Sequence, residues 1–267
     1  MNRQELIDTI YSKKSFLCTG LDTDINKLPR PFTPDVKNIL PFNKAIINAT
    51  HNLSAGYKIN TAFYEQYGAQ GWEIMEQTLA SIPQGCFTIA DAKRGDIGNT
   101  SSMYARAFFE TLNFHSVTVA PYMGEDSLRP FLEFKDKWII CLALTSNSGH
   151  QDFQKLHVDG QKKLYETVLE TVSKYGNINN LMFVVGATRA KDLEHIRTIV
   201  PEHFLLVPGV GAQGGNLSEV AQYGSNTDCG LLVNSSRSIL YASSGPNYAE
   251  KAQAEAYEMQ QTMAKYL

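Results

Sequence analysis

The sequence predicts an α/β protein of the (β/α)8 barrel class. Eight short apolar runs of β-prone residues recur along its 267 residues, and amphipathic stretches separate them. Near-continuous apolar strands, each followed by a helix, are typical of parallel strands that are buried on both faces. Eight such units in about 250 residues have the size of one barrel. Neither a linker nor a shift of composition divides the chain, so we expect a single domain over residues 1–267.

The predicted strands are the runs at 15–21, 56–60, 86–90, 116–120, 138–144, 181–186, 203–207 and 230–234. Apolar residues at three- and four-residue spacing predict helices between them, at 71–82, 100–112, 160–175, 189–200 and 213–223. A last helix, 247–267, is expected to close the chain. The proline-rich stretch 29–41 interrupts the connection after the first strand.

Charge and cysteine content exclude several classes of protein. A net charge of −3 and a pI near 6.1 give no support for nucleic acid or an anionic membrane as a partner. The first residues carry charges throughout and no long apolar run follows, so neither a secretory signal nor a membrane span is expected. The four cysteines are far apart and include no CxxC pair, which is typical of reduced structural thiols. We therefore expect a cytoplasmic protein without a metal site.

Polar residues recur where the predicted strands end, which is the side on which barrels of this class carry their chemistry. In chain order these residues are Asp22, Lys58, Asn60, Asp91, Lys93, Thr145, Ser146, Asn147 and the segment 234–238. A shared location at one rim favours a single site built from several strands.

The most informative segment is DAKRGDIGNT, residues 91–100. Asp91 and Lys93 lie at i and i+2 where a strand ends, so they share one face. The ordinary explanation for such a pair is a solvated salt bridge of little energetic value. However, a buried strand precedes the pair, Gly95 permits a tight turn, and Asp96 and Thr100 add polar groups just beyond. These features favour a functional site.

The seventh and eighth strand ends resemble a phosphate site. The glycine-rich run 208–215 lets backbone N–H groups approach an anion, and Arg237 follows Ser235 and Ser236 where a short helix could begin. The glycines also match GxGxxG. A dinucleotide fold is disfavoured, because that fingerprint belongs to the first βα unit and this one falls in the seventh.

Together these motifs resemble the orotidine 5′-phosphate decarboxylase family. They are GLD after the first strand, YKIN on the second, DxKxxD after the third, PGVGAQGG after the seventh and a late arginine. DxKxxD alone is less specific, because related sugar-phosphate decarboxylases and synthases share it. The subgroup with DAKRGDI, and with a Phe and a Glu at the positions of Phe63 and Glu65, is the most similar. The resemblance implies conversion of orotidine 5′-phosphate to UMP and CO2, the last step of de novo pyrimidine biosynthesis, without a cofactor or metal.

The resemblance also implies roles for single residues. A charged network would consist of Lys58, Asp91, Lys93 and Asp96, with Lys93 as the proton donor to C6 of the pyrimidine. Contacts to the substrate would come from Asp22 and Thr100 at the ribose, Ser146 at the base, and Gln213, Ser236 and Arg237 at the phosphate. Asp96, Ile97 and Thr100 would reach into the site of a neighbouring subunit, which implies an active homodimer with shared sites.

Three other functions fit parts of the pattern. A Mg²⁺-dependent sugar-phosphate decarboxylase or synthase could use the same barrel, and EDTA sensitivity would reveal it. A Schiff-base aldolase could use Lys58 or Lys93, although flanking aspartates make a lysine a poor nucleophile. A non-catalytic barrel that binds a phosphate ligand is the third, and UMP binding without turnover would support it.

Overall fold

Eight parallel strands close into a barrel in which neighbours in sequence pair, and the last strand pairs with the first. The computed structural model describes residues 1–158, 160–186, 190–210 and 215–267. The strands are β1 Leu17–Gly20, β2 Gly56–Asn60, β3 Phe87–Arg94, β4 Ser116–Val119, β5 Trp138–Leu144, β6 Leu181–Val185, β7 Phe204–Pro208 and β8 Leu231–Ser235. The (β/α)8 class predicted from the sequence is confirmed.

The third strand extends four residues beyond its predicted end at Ala90, so that Asp91 to Arg94 are strand and not loop. Its register with β4 shifts between Ala90 and Arg94, and Lys93 adopts a positive φ of 49°. Such a bulge keeps the strand paired while it turns one side chain out of the normal alternation. The Arg94 carbonyl still accepts a 2.8 Å hydrogen bond from the Ala120 N–H.

The helices of the described residues surround the barrel between the strands. They are α1 Arg3–Lys13, α2 Ile39–Thr50, α3 Ala62–Glu65, α4 Gly68–Ala80, α5 Gly98–Arg106, α6 Glu125–Leu132, α7 His150–Phe153, α8 Leu164–Val172, α9 Ala190–Ile199, α10 Leu217–Gly224, α11 Arg237–Leu240 and α12 Tyr248–Met263. None of the described helices is long and apolar enough to cross a membrane.

Several predicted helices differ from the structure at their ends, among them 160–175 and 100–112. The stretch 160–175 becomes helical only at Leu164, because Lys162–Lys163 pairs with His157–Val158 in a short antiparallel hairpin. Helix α5 is followed by a π-helical turn, Ala107–Thr111. The proline-rich stretch contains a 3-10 turn, Val36–Asn38, and leads into α2.

The core lies between the strands and the ring of helices, with large aromatic side chains such as Trp138, Phe87 and Phe183 fully buried. The four cysteines are free and buried, as predicted. Burial raises the pKa of Cys18 and of Cys229 to about 12, which keeps these thiols protonated and unreactive.

His203 is a buried histidine at the amino-terminal end of β7, where its ring packs against Phe183. Neither ring nitrogen has a hydrogen-bond partner among the described residues. Burial, with the nearby Arg3 and Arg197 charges, lowers its pKa to about 4. On acidification, His203 is therefore protonated near pH 6.5 in the unfolded chain but only near pH 4 in the folded chain. Protonation in this window favours unfolding.

We expect His203→Phe to reduce the loss of stability on acidification. Between pH 7 and pH 4.5 the free energy of unfolding of the variant should fall by about 1 to 3 kcal/mol less than that of the wild type. Denaturant titrations at both pH values measure the difference. The exposed His157→Gln serves as the control and should leave the slope with pH unchanged. Equal slopes for wild type and His203→Phe would contradict this account.

Candidate active site

A cavity of about 540 Å³ opens at the carboxyl ends of the barrel strands. The predicted residues that line it are Asp22, Lys58, Asn60, Asp91, Lys93, Thr145, Ser146, Asn147, Ser236 and Arg237. They come from β1, β2, β3, β5 and β8 or from the segments directly after them. The structure thus brings most of the predicted rim residues to one site.

Two lysines and two aspartates form a continuous charged chain on one side of this cavity. Lys58 Nζ lies 3.0 Å from Asp22 Oδ1 and 3.1 Å from Asp91 Oδ2. The other oxygen of Asp91, Oδ1, lies 2.6 Å from Lys93 Nζ. The order of the chain is therefore Asp22, Lys58, Asp91, Lys93, with alternating charge.

Lys58 is a buried cation held by carboxylates on both sides, with only 4% of its surface exposed. The parallel register explains the arrangement, since Lys58 pairs with Gly20 of β1 and Asn60 pairs with Asp91 of β3. Burial alone would lower the pKa of Lys58, but Asp22 and Asp91 more than offset this and raise it above the usual lysine value. The ammonium therefore stays charged.

Asp91 is the shared anion of the two lysines. Burial would raise the pKa of this carboxyl, but Lys58 and Lys93 lower it to about 2. The Thr118 hydroxyl donates to Asp91 Oδ1 at 3.1 Å and accepts a 2.9 Å bond from the Lys93 backbone N–H. Asp91 is thus an ionised acceptor whose position is set from three sides.

Lys93 is the most accessible member of the chain, with 48% of its side chain exposed. Its positive φ is uncommon for a residue with a side chain and is retained only where the surroundings stabilise it. The bond from its N–H to Thr118 supplies part of that stabilisation. The exposed ammonium lines the cavity.

Asp22 makes contacts that the resemblance did not indicate. The resemblance implies that Asp22 binds a ribose. In the structure its carboxylate binds Lys58 and accepts a 2.8 Å hydrogen bond from the Ser236 hydroxyl. Ser236, expected at the phosphate, is therefore bonded to the charged chain in this structure. Both side chains still line the cavity, so their other faces can contact a substrate.

A buried polar cluster fixes the end of β1 on both sides of Asp22. The Tyr64 hydroxyl donates to the Leu21 carbonyl at 2.9 Å, and the Thr23 hydroxyl donates to Asn43 Oδ1 at 2.6 Å. Asn43 Nδ2 in turn donates to the Tyr64 oxygen at 2.8 Å. Buried polar groups that are fully paired in this way hold one geometry.

The predicted phosphate end is described in part. Arg237 begins α11 and lines the cavity with Gly209 and Val210 from the segment after β7. Gln213, predicted at the phosphate, lies outside the described residues, as do Gly211 and Gly214. Ser146, predicted at the base, lines the cavity between Thr145 and Asn147.

Asp96, Ile97 and Thr100 lie apart from this cavity. Among the described residues no ion pair reaches Asp96, and its carboxylate accepts from the Ile97 N–H at 2.8 Å. Ile97 is 56% exposed. In a single chain these residues do not join the charged network, so the role that the resemblance implies for them stays a prediction.

Several lining residues were missed by sequence reasoning. One group forms an apolar wall, namely Leu142, Val184 and Leu206, and another lies at the rim, namely Asp24, Lys27 and Tyr241. Thr118 was missed too, although the alternation of β4 puts it beside Asp91. None of these residues belongs to a motif. The inward-facing positions of the strands could have indicated the apolar wall and Thr118, whereas Asp24, Lys27 and Tyr241 lie outside the strands.

Residues 17–252 match the profile of a known family, described as Orotidine 5′-phosphate decarboxylase / HUMPS. The chain belongs to this family. A curated relative from Flavobacterium johnsoniae, named orotidine 5′-phosphate decarboxylase, is 58% identical over 270 residues, covering 100% of this chain and 98% of the relative. The family resemblance inferred from the motifs is thereby confirmed.

Solved structures of an OMP decarboxylase and of a UMP synthase share the fold. The Leishmania donovani OMP decarboxylase is 36% identical with a TM-score of 0.81, covering 98% of this chain and 100% of that one. The Leishmania donovani UMP synthase is 38% identical with a TM-score of 0.84, covering 97% of this chain but 57% of that one. This member of the orotidine 5′-phosphate decarboxylase / HUMPS family thus corresponds to part of the longer synthase.

Replacing Lys58 by Met should destabilise the fold, because two buried carboxylates would then lose their shared cation. At pH 7 we expect the free energy of unfolding to fall by about 3 kcal/mol. In the wild type the low pKa of Asp91 adds stability above its ordinary value of 3.8, and this is lost as the pH falls through about 2. Without Lys58 the carboxyl of Asp91 takes up its proton at higher pH, so the deficit should shrink between pH 7 and pH 4.

Denaturant titrations across this pH range measure the effect. The matched control is Lys37→Met, which removes an exposed cation 3.0 Å from Asp35 and should leave the stability almost unchanged, because water screens exposed ion pairs. A deficit for Lys58→Met that grew on acidification would show that the carboxylates are not the cause.

Proposed function

We propose that the protein removes CO2 from orotidine 5′-phosphate to give UMP in the cavity described above. The observation that carries this proposal is Asp91, an ionised carboxylate shared by one buried and one accessible lysine at the cavity wall. The activity is that named for the Flavobacterium johnsoniae and Leishmania donovani relatives. Those names support it over the Mg²⁺-dependent alternative.

The negative charge that decarboxylation leaves on the pyrimidine ring must be stabilised electrostatically. Loss of CO2 breaks the bond between C6 and the carboxylate and leaves its electron pair on C6, where the ring has no adjacent electron sink. Fixed cations in a cavity sheltered from water stabilise such a charge more than solvent does. Lys58 and Lys93 supply two cations, and neither has to be reoriented during the step because Asp91 holds both.

We assign the proton transfer to Lys93. Its ammonium is the accessible end of the charged chain, so it can approach C6 while Asp91 holds it. The proton passes from Nζ to the C6 electron pair, which gives UMP and a neutral amine, and a proton from solvent restores the ammonium. Lys58, which is buried, serves to orient Asp91 and to keep the site cationic.

The phosphate of the substrate would lie near Arg237, which lines the same cavity. A guanidinium matches the geometry of a phosphate and binds it through two parallel hydrogen bonds. Asp22 is assigned to the ribose, Ser146 to the base, and Ser236 and Gln213 to the phosphate. Binding energy from the phosphate, remote from the reacting carbon, can then help to position the pyrimidine.

We further propose an active homodimer in which Asp96, Ile97 and Thr100 complete the site of the partner subunit. Two observations support this. These residues follow directly after the catalytic strand but do not line the cavity of their own chain, and Ile97 is an exposed apolar side chain. An aspartate brought beside Lys93 from the partner would extend the alternating charges by one.

Lys93→Met should abolish decarboxylation while the fold stays intact. Removing the proton donor and one of two cations should lower kcat by at least about 1,000-fold. The ultraviolet absorbance change on conversion of orotidine 5′-phosphate, measured with EDTA present, follows the reaction, and circular dichroism checks the fold. The exposed Lys162→Met is the matched control and should be fully active. Near-normal turnover by Lys93→Met would overturn the assignment, and inhibition of the wild type by EDTA would favour the metal-dependent alternative.

Mixing two inactive variants tests the shared site. If Asp96→Asn and Lys93→Ala subunits exchange, half of the dimers become mixed, and each of these contains one site with both native residues. Activity should recover to about a quarter of the wild-type value, because one site in four is then intact. Absence of recovery, with subunit exchange verified by mass spectrometry, would count against sites shared between subunits.

A further inference from the structure

Arg94, the residue directly after Lys93, forms an ion pair with Glu65 at the edge of the site. Glu65 ends α3, the short helix that follows the lysine-bearing strand β2, whereas Arg94 ends β3. The pair therefore joins the segments that carry Lys58 and Lys93. The described cavity lining includes neither Arg94 nor Glu65, so neither is placed to touch a substrate.

The surroundings of the Arg94 guanidinium differ from those of a solvated surface pair. The side chains of Arg94 and Glu65 are only 20% and 31% exposed. The guanidinium lies over the rings of Tyr104 and Phe108, 5.4 and 5.3 Å from their centroids. An arginine held by a carboxylate and two aromatic faces has little freedom to move.

Arg94 also holds the backbone on both sides of Lys93. Its Nη1 donates to the Ala92 carbonyl at 2.9 Å, and its own carbonyl accepts from the Ala120 N–H at 2.8 Å. Between these two anchors Lys93 takes its positive φ of 49°. A non-glycine residue in that conformation depends on its neighbours to keep it there.

We propose that Glu65 and Arg94 are positioning residues for catalysis, which hold the bulged backbone so that the Lys93 ammonium faces the reacting carbon. This rests on the proposed decarboxylase function and adds two residues to it. Because Tyr104 belongs to α5, the same contacts also fix the helix that follows Asp96. A displacement of about 1 Å at a reacting group can cost a factor of about 100 in rate.

The following variants distinguish a role of Glu65 and Arg94 in positioning Lys93 from a role in fold stability alone. Glu65→Gln removes the charge at constant size, and Arg94→Lys keeps the cation but cannot bind Glu65 and the Ala92 carbonyl together. Each should lower kcat by about 10- to 100-fold, with KM and the affinity for UMP changed less than about threefold. The double variant should lose about as much as one single variant, because the two residues act as a unit.

The matched control is Glu170→Gln, which breaks the exposed pair with Lys162 and should leave kcat unchanged. All assays are run well below the melting temperature of each variant, so that lost stability alone cannot lower kcat. Variants that melt earlier but keep wild-type kcat would overturn the positioning role, as would additive losses in the double variant. A wild-type chain without turnover would refute the proposed function, and this assignment with it, before any variant is compared.

Discussion

The buried ammonium of Lys58 between two carboxylates is the constraint on which the site depends. Moving a cation out of water costs several kcal/mol unless opposite charges meet it at close range. Here Asp22 and Asp91 do so at 3.0 and 3.1 Å, Asp22 from the segment directly after β1 and Asp91 from β3. The ends of β1, β2 and β3 are therefore held in one arrangement, and the position of Lys93 depends on it. The polar cluster of Asn43 and Tyr64 fixes the β1 side, and Thr118 fixes the side facing β4.

The buried cations at the two ends of the barrel have different hydrogen-bond partners. At the amino-terminal end Arg197 donates to the carbonyls of Gly224, His203 and Gly230, and Arg3 donates to those of Ile178 and Glu202. Backbone oxygens accept most of these bonds, although Arg3 also pairs with the Asp228 carboxylate at 3.0 Å, and the contacts tie the loops at this end together. At the other end side-chain carboxylates hold the lysines, and Lys93 keeps an open face. Of Arg3, Arg197, Lys58 and Lys93, only Lys93 carries a charge that a ligand can reach.

Sequence patterns predicted the fold well, because strands buried on both faces read as apolar runs that turns and helices separate. They also located Lys58, Asp91 and Lys93, since a polar residue that ends such a run falls on the rim. They failed for the extension of β3, because the bulge at Lys93 depends on pairing with β4 and on the Thr118 hydroxyl. They missed the bond between Asp22 and Lys58, because the register between strands is not encoded in any one segment. Glu65 matched a subgroup of the family, but its ion pair with Arg94 could not be predicted, because the two residues meet only in the folded structure.

In the proposed reaction, the alternation of two aspartates and two lysines would also help to restore the site after each turnover. While Lys93 is protonated, the four charges sum to zero. If Lys93 gives up its proton as proposed, Asp22, Lys58 and Asp91 leave the group with one net negative charge beside a neutral amine. That excess negative charge attracts the incoming proton, as opposite charges do at short range. Under this proposal, the residues that hold Lys93 in place would also help to restore its charge before the next substrate binds.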